Sequence, residues 1–378
     1  MKSRRLAKCC VCGGCLEEVF ALPSLPVTGI YSKASHDPSF PTYDQAFALC
    51  PSCQHGQLSE ALDPTVLYGG AYGFRTSESA TARKGSEFFA AYLHTLFPGR
   101  KFRNVVDFGC NDGVLLGLLE GSAERRVGID PILRGKEREF KALGIEAIGM
   151  AIEDANLDSV LDGPPDLIVS QHTFEHLTDP RRVLETLLAM AAPETVFVFE
   201  FPCLDVLLRH YRFDQVFHQH VQYFSVASVM ELLQRVGAEP IGYTFNFGYW
   251  GALLIAFRRG TQAGGGAVTH EFRMPSITTA AILQRYGIFR EQLALASRII
   301  ASLAEGETYG YGAALMLPIL AYHLDTDFAM LRAILDDDPN KAGLGYVNLP
   351  VRIVTPSGVD LSDATIVDRK STRLNSSH

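Results

Sequence analysis

Long apolar runs are missing from this 378-residue chain. None approaches the ~20 residues that a membrane-spanning helix needs. The basic start, MKSRR, leads into cysteines and not into an apolar signal core. Cationic tracts are missing too: 34 Lys and Arg stand against 42 Asp and Glu, a formal net charge of −8. That balance argues against a nucleic-acid partner or an anionic membrane surface. The dinucleotide fingerprint G-x-G-x-x-G is also absent, and with it the usual cradle for a pyrophosphate. The expectation is a cytoplasmic protein of ordinary globular composition, long enough for two or three domains.

What is present begins with cysteine. Six of the 8 cysteines fall within the first 53 residues. Cys9-x2-Cys12 and Cys50-x2-Cys53 form two knuckles, each of which sets two thiolates on one side of a tight turn. In a reducing compartment such pairs read as a metal site, not as disulfides. The reading is a structural Zn2+ held by Cys9, Cys12, Cys50 and Cys53. Cys10, Cys15 and His55 are further possible ligands. The stretch between the knuckles holds Pro23, Pro26, Pro38 and Pro41 and shows little helical pattern, so a small ribbon with little core of its own is expected.

The most informative stretch runs from Val105 through VVDFGCNDGVLLGLL to VGID at Val127–Asp130. Val105–Phe108 reads as a strand, Gly109–Gly113 as a tight turn, Val114–Leu119 as a helix and Val127–Asp130 as a second strand ending in an acid. Glycines let backbone N–H groups approach a ligand, and a carboxylate after the second strand accepts ribose hydroxyls. Asp112 in the turn would repel a phosphate. The pattern therefore suits a cationic, phosphate-free nucleoside cofactor, S-adenosylmethionine, contacted by Asp107, Gly109, Asn111, Asp112, Gly113 and Asp130.

Asp166–Ser170 reads as another strand of the same sheet, and Gln171-His-Thr-Phe-Glu-His176 follows at its carboxyl end. Ligands sit at such ends, so Gln171 and His172 are assigned to the cofactor, with Glu175 and His176 as further site candidates. Pro180–Ala192 has a helical pattern and Thr195–Glu200 that of a strand. Phe213-Asp-Gln-Val-Phe-His-Gln-His-Val-Gln-Tyr-Phe-Ser225 concentrates His218, Gln219, His220 and Tyr223 among aromatics. Imidazole suits proton abstraction near neutral pH. The His-x-His spacing also suits metal, but no carboxylate or third histidine is clearly spaced in sequence to complete such a site, so a general base is the preferred reading. Asn246–Ile255 reads as a glycine-punctuated hairpin. Lone Trp250 within it is assigned to packing. GTQAGGG after Arg259 reads as a linker, Thr278–Leu303 as one or two helices, and Thr308–Gly312 as a strand with a second glycine turn.

In this order, the motifs resemble the S-adenosylmethionine-dependent sugar C-methyltransferases that act on nucleotide-linked 4-keto-6-deoxyhexoses. The resemblance spans nearly the whole chain: the paired knuckles, the G-x-N-D-G loop, Glu175-His176, the F-D-Q-x-[YF]-x-[EQ]-H-x-x-Y-F-S run, Tyr311-Gly-Ala-Ala314 and Asp336-Asp-Asp-Pro-Asn-Lys341. It implies a Rossmann-like class I methyltransferase sheet with an N-terminal zinc ribbon and a smaller C-terminal α/β domain. The boundaries are 1–65, 66–262 and 263–367.

It also implies a mechanism. A base removes the C3 proton next to a C4 ketone, and the enolate takes the methyl group. His220 matches the base. His176 matches a histidine that holds the sugar or the enolate oxygen. Tyr72, Phe217 and Lys341 fall at substrate-contacting positions. The chain departs from the family pattern where Phe217 replaces tyrosine and Gln219 replaces glutamate, which removes a hydroxyl and a carboxylate. Tyr223 and His218 are candidates to compensate. The alternative is transfer to oxygen or to another keto acceptor, or a silent cofactor-binding homologue. Residues 368–378 resemble a translated sequencing adapter and are expected to be non-native, with the natural C-terminus missing.

Overall fold

The computed structural model describes residues 3–33, 36–68, 74–155, 161, 163–260, 276–302 and 307–368. Tyr72, the linker run from 261 and the tail from 369 lie outside them.

Seven strands form the central sheet: β1 Phe102–Phe108, β2 Ala123–Ile129, β3 Ile145–Ile148, β4 Leu167–Gln171, β5 Val196–Phe201, β6 Ala238–Asn246 and β7 Ala252–Arg259. Their order is β3-β2-β1-β4-β5-β7-β6. The first five are parallel. β7 runs antiparallel between β5 and β6. This is the class I methyltransferase arrangement. The strand order reverses between β1 and β4, which opens a crevice at their carboxyl ends. Every residue of β5 is buried, and so are the first four of β4. That explains why VFVFEF and LIVS read as continuous apolar runs, as strands covered on both faces must.

Local chemistry starts the flanking helices. Asp179 caps Pro180–Met190 by accepting from Arg182 N, with Pro180 in the first turn. Ser225 and Ser228 form a reciprocal capping box on Val226–Arg235. Ser79 caps Ala80–Leu96, which lays Phe89, Ala90 and Leu93 on the sheet and carries Ser86 toward the crevice.

The N-terminal part is more than a ribbon around a metal. Glu17–Pro26, Thr42–Cys50 and His55–Leu58 form an antiparallel sheet, and its edge is completed by Gln222–Tyr223 from between β5 and β6. Val19, Phe20, Leu22, Leu25, Phe47 and Leu49 share a core with Leu204, Leu207, Phe213, Phe217, Ile282 and Ile319. The expectation of little core fails because this core is borrowed from later parts of the chain.

A second parallel sheet lies at the C-terminal end, in the order Thr365–Asp368, Thr308–Tyr311, Ile334–Leu335, Leu349–Val354. It continues antiparallel through Gly345–Tyr346 to Tyr31–Ser32 of the N-terminal part. Thr279–Ser302 is one helix of 24 residues. No helix among the described residues is long and apolar enough to cross a membrane.

Candidate functional site

At the carboxyl end of β1 the chain turns through Gly109 at φ 72°. A Cβ there would collide with the Thr173 side chain, so the residue answers both for the left-handed turn and for the close approach of the loop after β4. Asn111 N donates to Asp130 Oδ2 at 3.0 Å, and Ile132 N to Asp130 Oδ1 at 3.0 Å. Asp130 thereby ties the turn to the end of β2. Asn111 Oδ1 accepts from Thr76 N at 3.2 Å, and Asp112 Oδ2 from Ser77 N at 2.9 Å. Gly113, in the left-handed region, opens the helix Val114–Leu118.

The acids here are under-satisfied. Asp107 Oδ1 and Asp112 Oδ1 are buried without a hydrogen-bond partner. Burial, then the nearby Asp130 carboxylate, holds Asp107 well above the usual carboxylate range. Burial likewise raises Asp130. Two buried carboxylates that repel each other are what a cationic ligand relieves.

A second polar layer lies across the ends of β4, β5 and β6. Ser86 Oγ donates to Gln171 Oε1 at 2.6 Å, Gln171 Nε2 donates to Glu200 Oε2, and Asn246 Nδ2 donates to Glu200 Oε1 at 2.8 Å. Glu200 is fully buried, and burial raises its pKa. His172 follows at φ 52°, its backbone N–H bonded to Glu200 O at 2.8 Å and its ring edge-on to Tyr249, 4.4 Å between centroids. The sequence reading singled out Gln171 and His172 but not Glu200, Asn246 and Ser86, which the structure brings beside them. Glu200 offered one signal, a carboxylate inside a run of buried apolar residues.

The histidines converge on one carboxylate. Glu175 Oε1 lies 3.4 Å from His172 Nδ1, 3.9 Å from His176 Nε2 and 3.9 Å from His220 Nε2. Glu175 is fully buried, and neither of its oxygens has a hydrogen bond. His176 Nδ1 faces Gln219 O at 2.6 Å. A carbonyl only accepts, so Nδ1 carries the proton and Nε2 is the nitrogen turned to the cluster. The His220 ring lies 4.2 Å from Phe217 and 5.2 Å from His176. Burial, then His176, pulls His220 down to about 3, against the pull of Glu175. Burial works against a charged Glu175, but His176, His172 and His220 outweigh it and hold it at about 2. Burial also opposes charge on His172, yet Glu175 and Glu200 raise it. Burial thus keeps the His220 imidazole neutral, with the Glu175 carboxylate 3.9 Å from its Nε2.

The carboxylate thought missing for the His-x-His run thus comes from the loop after β4. Its partner His218 goes elsewhere. His218 Nε2 donates to Leu25 O at 3.0 Å and Nδ1 accepts from Gln45 Nε2 at 3.4 Å, both in the N-terminal sheet. His218 is fully buried there. The Tyr223 hydroxyl accepts from Phe217 N at 3.2 Å and donates to Gln215 O at 3.3 Å, bracing the loop. Gln219 Nε2 donates to Thr28 O at 2.8 Å, so its backbone carbonyl, not its side chain, serves His176. Lys341 Nζ pairs with Asp336 at 3.2 Å and donates to Ala313 O at 3.3 Å, at the second glycine turn. Trp250, read as packing, is 43 % exposed, with the Arg212 guanidinium 4.8 Å from its ring centre.

The four sulfurs of Cys9, Cys12, Cys50 and Cys53 lie within 4.8 Å of one another. Cys9–Cys53 and Cys12–Cys50 are 3.5 and 3.4 Å apart, against ~3.8 Å between sulfurs around a tetrahedral zinc with ~2.3 Å bonds. A Cβ on Gly14 would stand 3.1 Å from Cys12 Sγ, and Gly14 N donates to that sulfur at 3.4 Å. Cys10 turns to Thr178 O, Cys15 is exposed, and His55 bonds to Gln222.

A methyltransferase-domain family model matches residues 81–241. The C-methyltransferase NovU of Streptomyces niveus is 26% identical over 328 residues, which is 82% of this chain and 76% of NovU. Among solved structures, the N-methyltransferase NodS of Bradyrhizobium japonicum WM9 is 18% identical with a TM-score of 0.37, covering 49% of this chain and 99% of NodS. An S-adenosylmethionine-dependent methyltransferase of Clostridium acetobutylicum ATCC 824 is 11% identical with a TM-score of 0.38, covering 49% of this chain and 94% of its own.

Proposed function

We propose that this S-adenosylmethionine-dependent methyltransferase methylates C3 of a nucleotide-linked 4-keto-6-deoxy sugar. The observation that carries this reading is the meeting of His220 with Glu175 and His176 at the carboxyl edge of the cofactor sheet. Chemistry at a carbon next to a ketone needs a base and a stabiliser of the enolate oxygen. Oxygen or nitrogen acceptors already carry a lone pair and need less. NovU, a C-methyltransferase by name, supports the same direction.

Bound S-adenosylmethionine supplies an electrophilic methyl group. Asp107, Gly109, Asn111, Asp112, Gly113 and Asp130 would hold it. The unpaired oxygens of Asp107 and Asp112 fit its positive charge, and Gln171 and His172 border it from β4. His220 takes the C3 proton. His176, with Nδ1 fixed by Gln219 O, helps hold the sugar by accepting from one of its hydroxyls at Nε2. Phe217 shields the base from water on one side.

Residues 1–65, 66–262 and 263–367 are read as zinc, methyltransferase and nucleotide-sugar units. Cys9, Cys12, Cys50 and Cys53 hold a structural Zn2+ that takes no part in the reaction, since four thiolates leave no open position. Tyr72 and Phe217 contact the sugar. Lys341 meets the diphosphate by exchanging part of its pairing with Asp336. Nothing in the charge pattern calls for nucleic acid or membrane, and the thiolate site suits a cytoplasmic setting.

The test is mass and NMR analysis of products after incubation with S-adenosylmethionine and a panel of nucleotide-linked 4-keto-6-deoxy sugars. One new methyl carbon at C3 is the expected result. A methyl ether, or no product with any member, would refute the reading.

A further inference from the structure

Glu175 is an anomaly that the assigned roles leave open. A fully buried carboxylate without a hydrogen bond is costly, by several kcal/mol where nothing offsets it. Three imidazole nitrogens at 3.4, 3.9 and 3.9 Å surround one of its oxygens, and the offset lies with the nearest, His172, whose charged form Glu175 and Glu200 favour. The charged and titratable groups facing them are few among the described residues. Glu200 lies behind His172 and Tyr249 packs edge-on to it, Asp130 acts on His176 from the end of β2 with Tyr68 6.0 Å from that ring, and Tyr223 stands 6.4 Å from His220. Gln219, next to the base, brings no charge. Among the described residues, Glu175 is the one carboxylate within 4.0 Å of a His220 nitrogen.

We propose that Glu175 is the positioning residue of proton abstraction, its carboxylate holding His176 and His220 in place and stabilising the imidazolium formed on His220. This rests on the C3 reading above. In the step itself the C3–H bond breaks, its electron pair enters the C3–C4 enolate, and the proton passes to His220. The charge on His220 rises from zero to one at that moment, which is when a carboxylate 3.9 Å away stabilises most. Gln219 cannot do this, and Glu175 supplies from another loop what that position lacks.

The full-length Glu175→Gln variant keeps the shape and removes the charge. With S-adenosylhomocysteine bound, deuterium exchange at C3 of the accepted sugar is expected to fall about 100-fold, while S-adenosylhomocysteine affinity stays within about twofold. In Glu175→Ala, added formate is expected to restore exchange and formamide to leave it low, a distinction that a merely structural gap would not make. Glu175→Asp is expected to fall between wild type and Glu175→Gln, and it carries the test should Glu175→Gln not fold.

NMR titration of the histidine rings needs no substrate. Glu175 and Glu200 hold His172 high, so its midpoint is expected to move down in Glu175→Gln. Exchange equal to wild type in Glu175→Gln, or equal rescue by formamide, would overturn the proposal. So would a wild-type protein with two metal ions per chain where Glu175→Gln holds one, since Glu175 would then be a ligand. A wild type that exchanges no sugar of the panel refutes the C3 reading instead. In that case an unmoved His172 midpoint in Glu175→Gln overturns the proposal by itself.

Discussion

Two clusters in this molecule gather side chains from distant parts of the chain, and they differ in kind. Near the N-terminus four identical sulfurs meet, 3.4–3.5 Å apart in pairs. At the crevice, three imidazoles of differing exposure meet one carboxylate at 3.4–3.9 Å. Four like donors suit a closed tetrahedron that leaves nothing for a substrate, and the proposed reading makes this cluster a staple. Unlike groups, with burial pushing one histidine down and acids pulling another up, suit a division into base and counter-charge, and the proposed reading makes this the reacting cluster. Breaking the first should cost fold, and breaking the second should cost rate.

The largest effect is expected from Cys50→Ser. It removes a fully buried ligand, and about one zinc per chain should be lost with at least about 5 kcal/mol of stability, read by metal analysis and thermal unfolding. Normal unfolding with no metal would erase the contrast. Next comes His220→Gln. Turnover should fall about 1,000-fold with unfolding and S-adenosylhomocysteine binding unchanged. Equal loss of stability would make the histidine cluster another staple. Smaller again is Asp130→Asn, which weakens the tie between the glycine turn and β2 and the grip on the ribose. Cofactor affinity should drop about 10-fold, measured by calorimetry. The smallest is Cys15→Ser: this sulfur is exposed and outside the set of four, so metal content should stay the same. A lost metal there would reassign the ligands.

The parts of this picture that were legible in sequence are the local ones. Gly109, Asp112 and Asp130 announce the tight turn after β1 within one strand-turn-helix-strand unit, and apolar runs such as VFVFEF announce buried parallel strands. The cysteine pairing was readable because each knuckle is itself local. Glu175 was visible as an acid after β4, but its meeting with His220 depends on the loop after β5 folding back across the sheet. His218 shows the converse. It shares a motif with His220 and looks equally reactive, yet Leu25 O and Gln45 claim both of its nitrogens.

Least legible was the N-terminal segment between the knuckles. Thr28 O takes Gln219, Val27 O takes Asn348, and Tyr31 Oη donates to Ala313 O at 2.6 Å. This segment ties the His220 loop to the second glycine turn. No periodicity encodes such contacts, because each pairs backbone groups with side chains hundreds of residues away.

The most direct test of the central claim is C3 hydrogen exchange in heavy water, with S-adenosylhomocysteine in place of the methyl donor, compared between wild type and His220→Gln. Exchange by the wild type that His220→Gln loses is the expected result, and it makes His220 the base of a carbon methylation. Methyl transfer by a wild type that never exchanges C3, or equal exchange in both proteins, would contradict it.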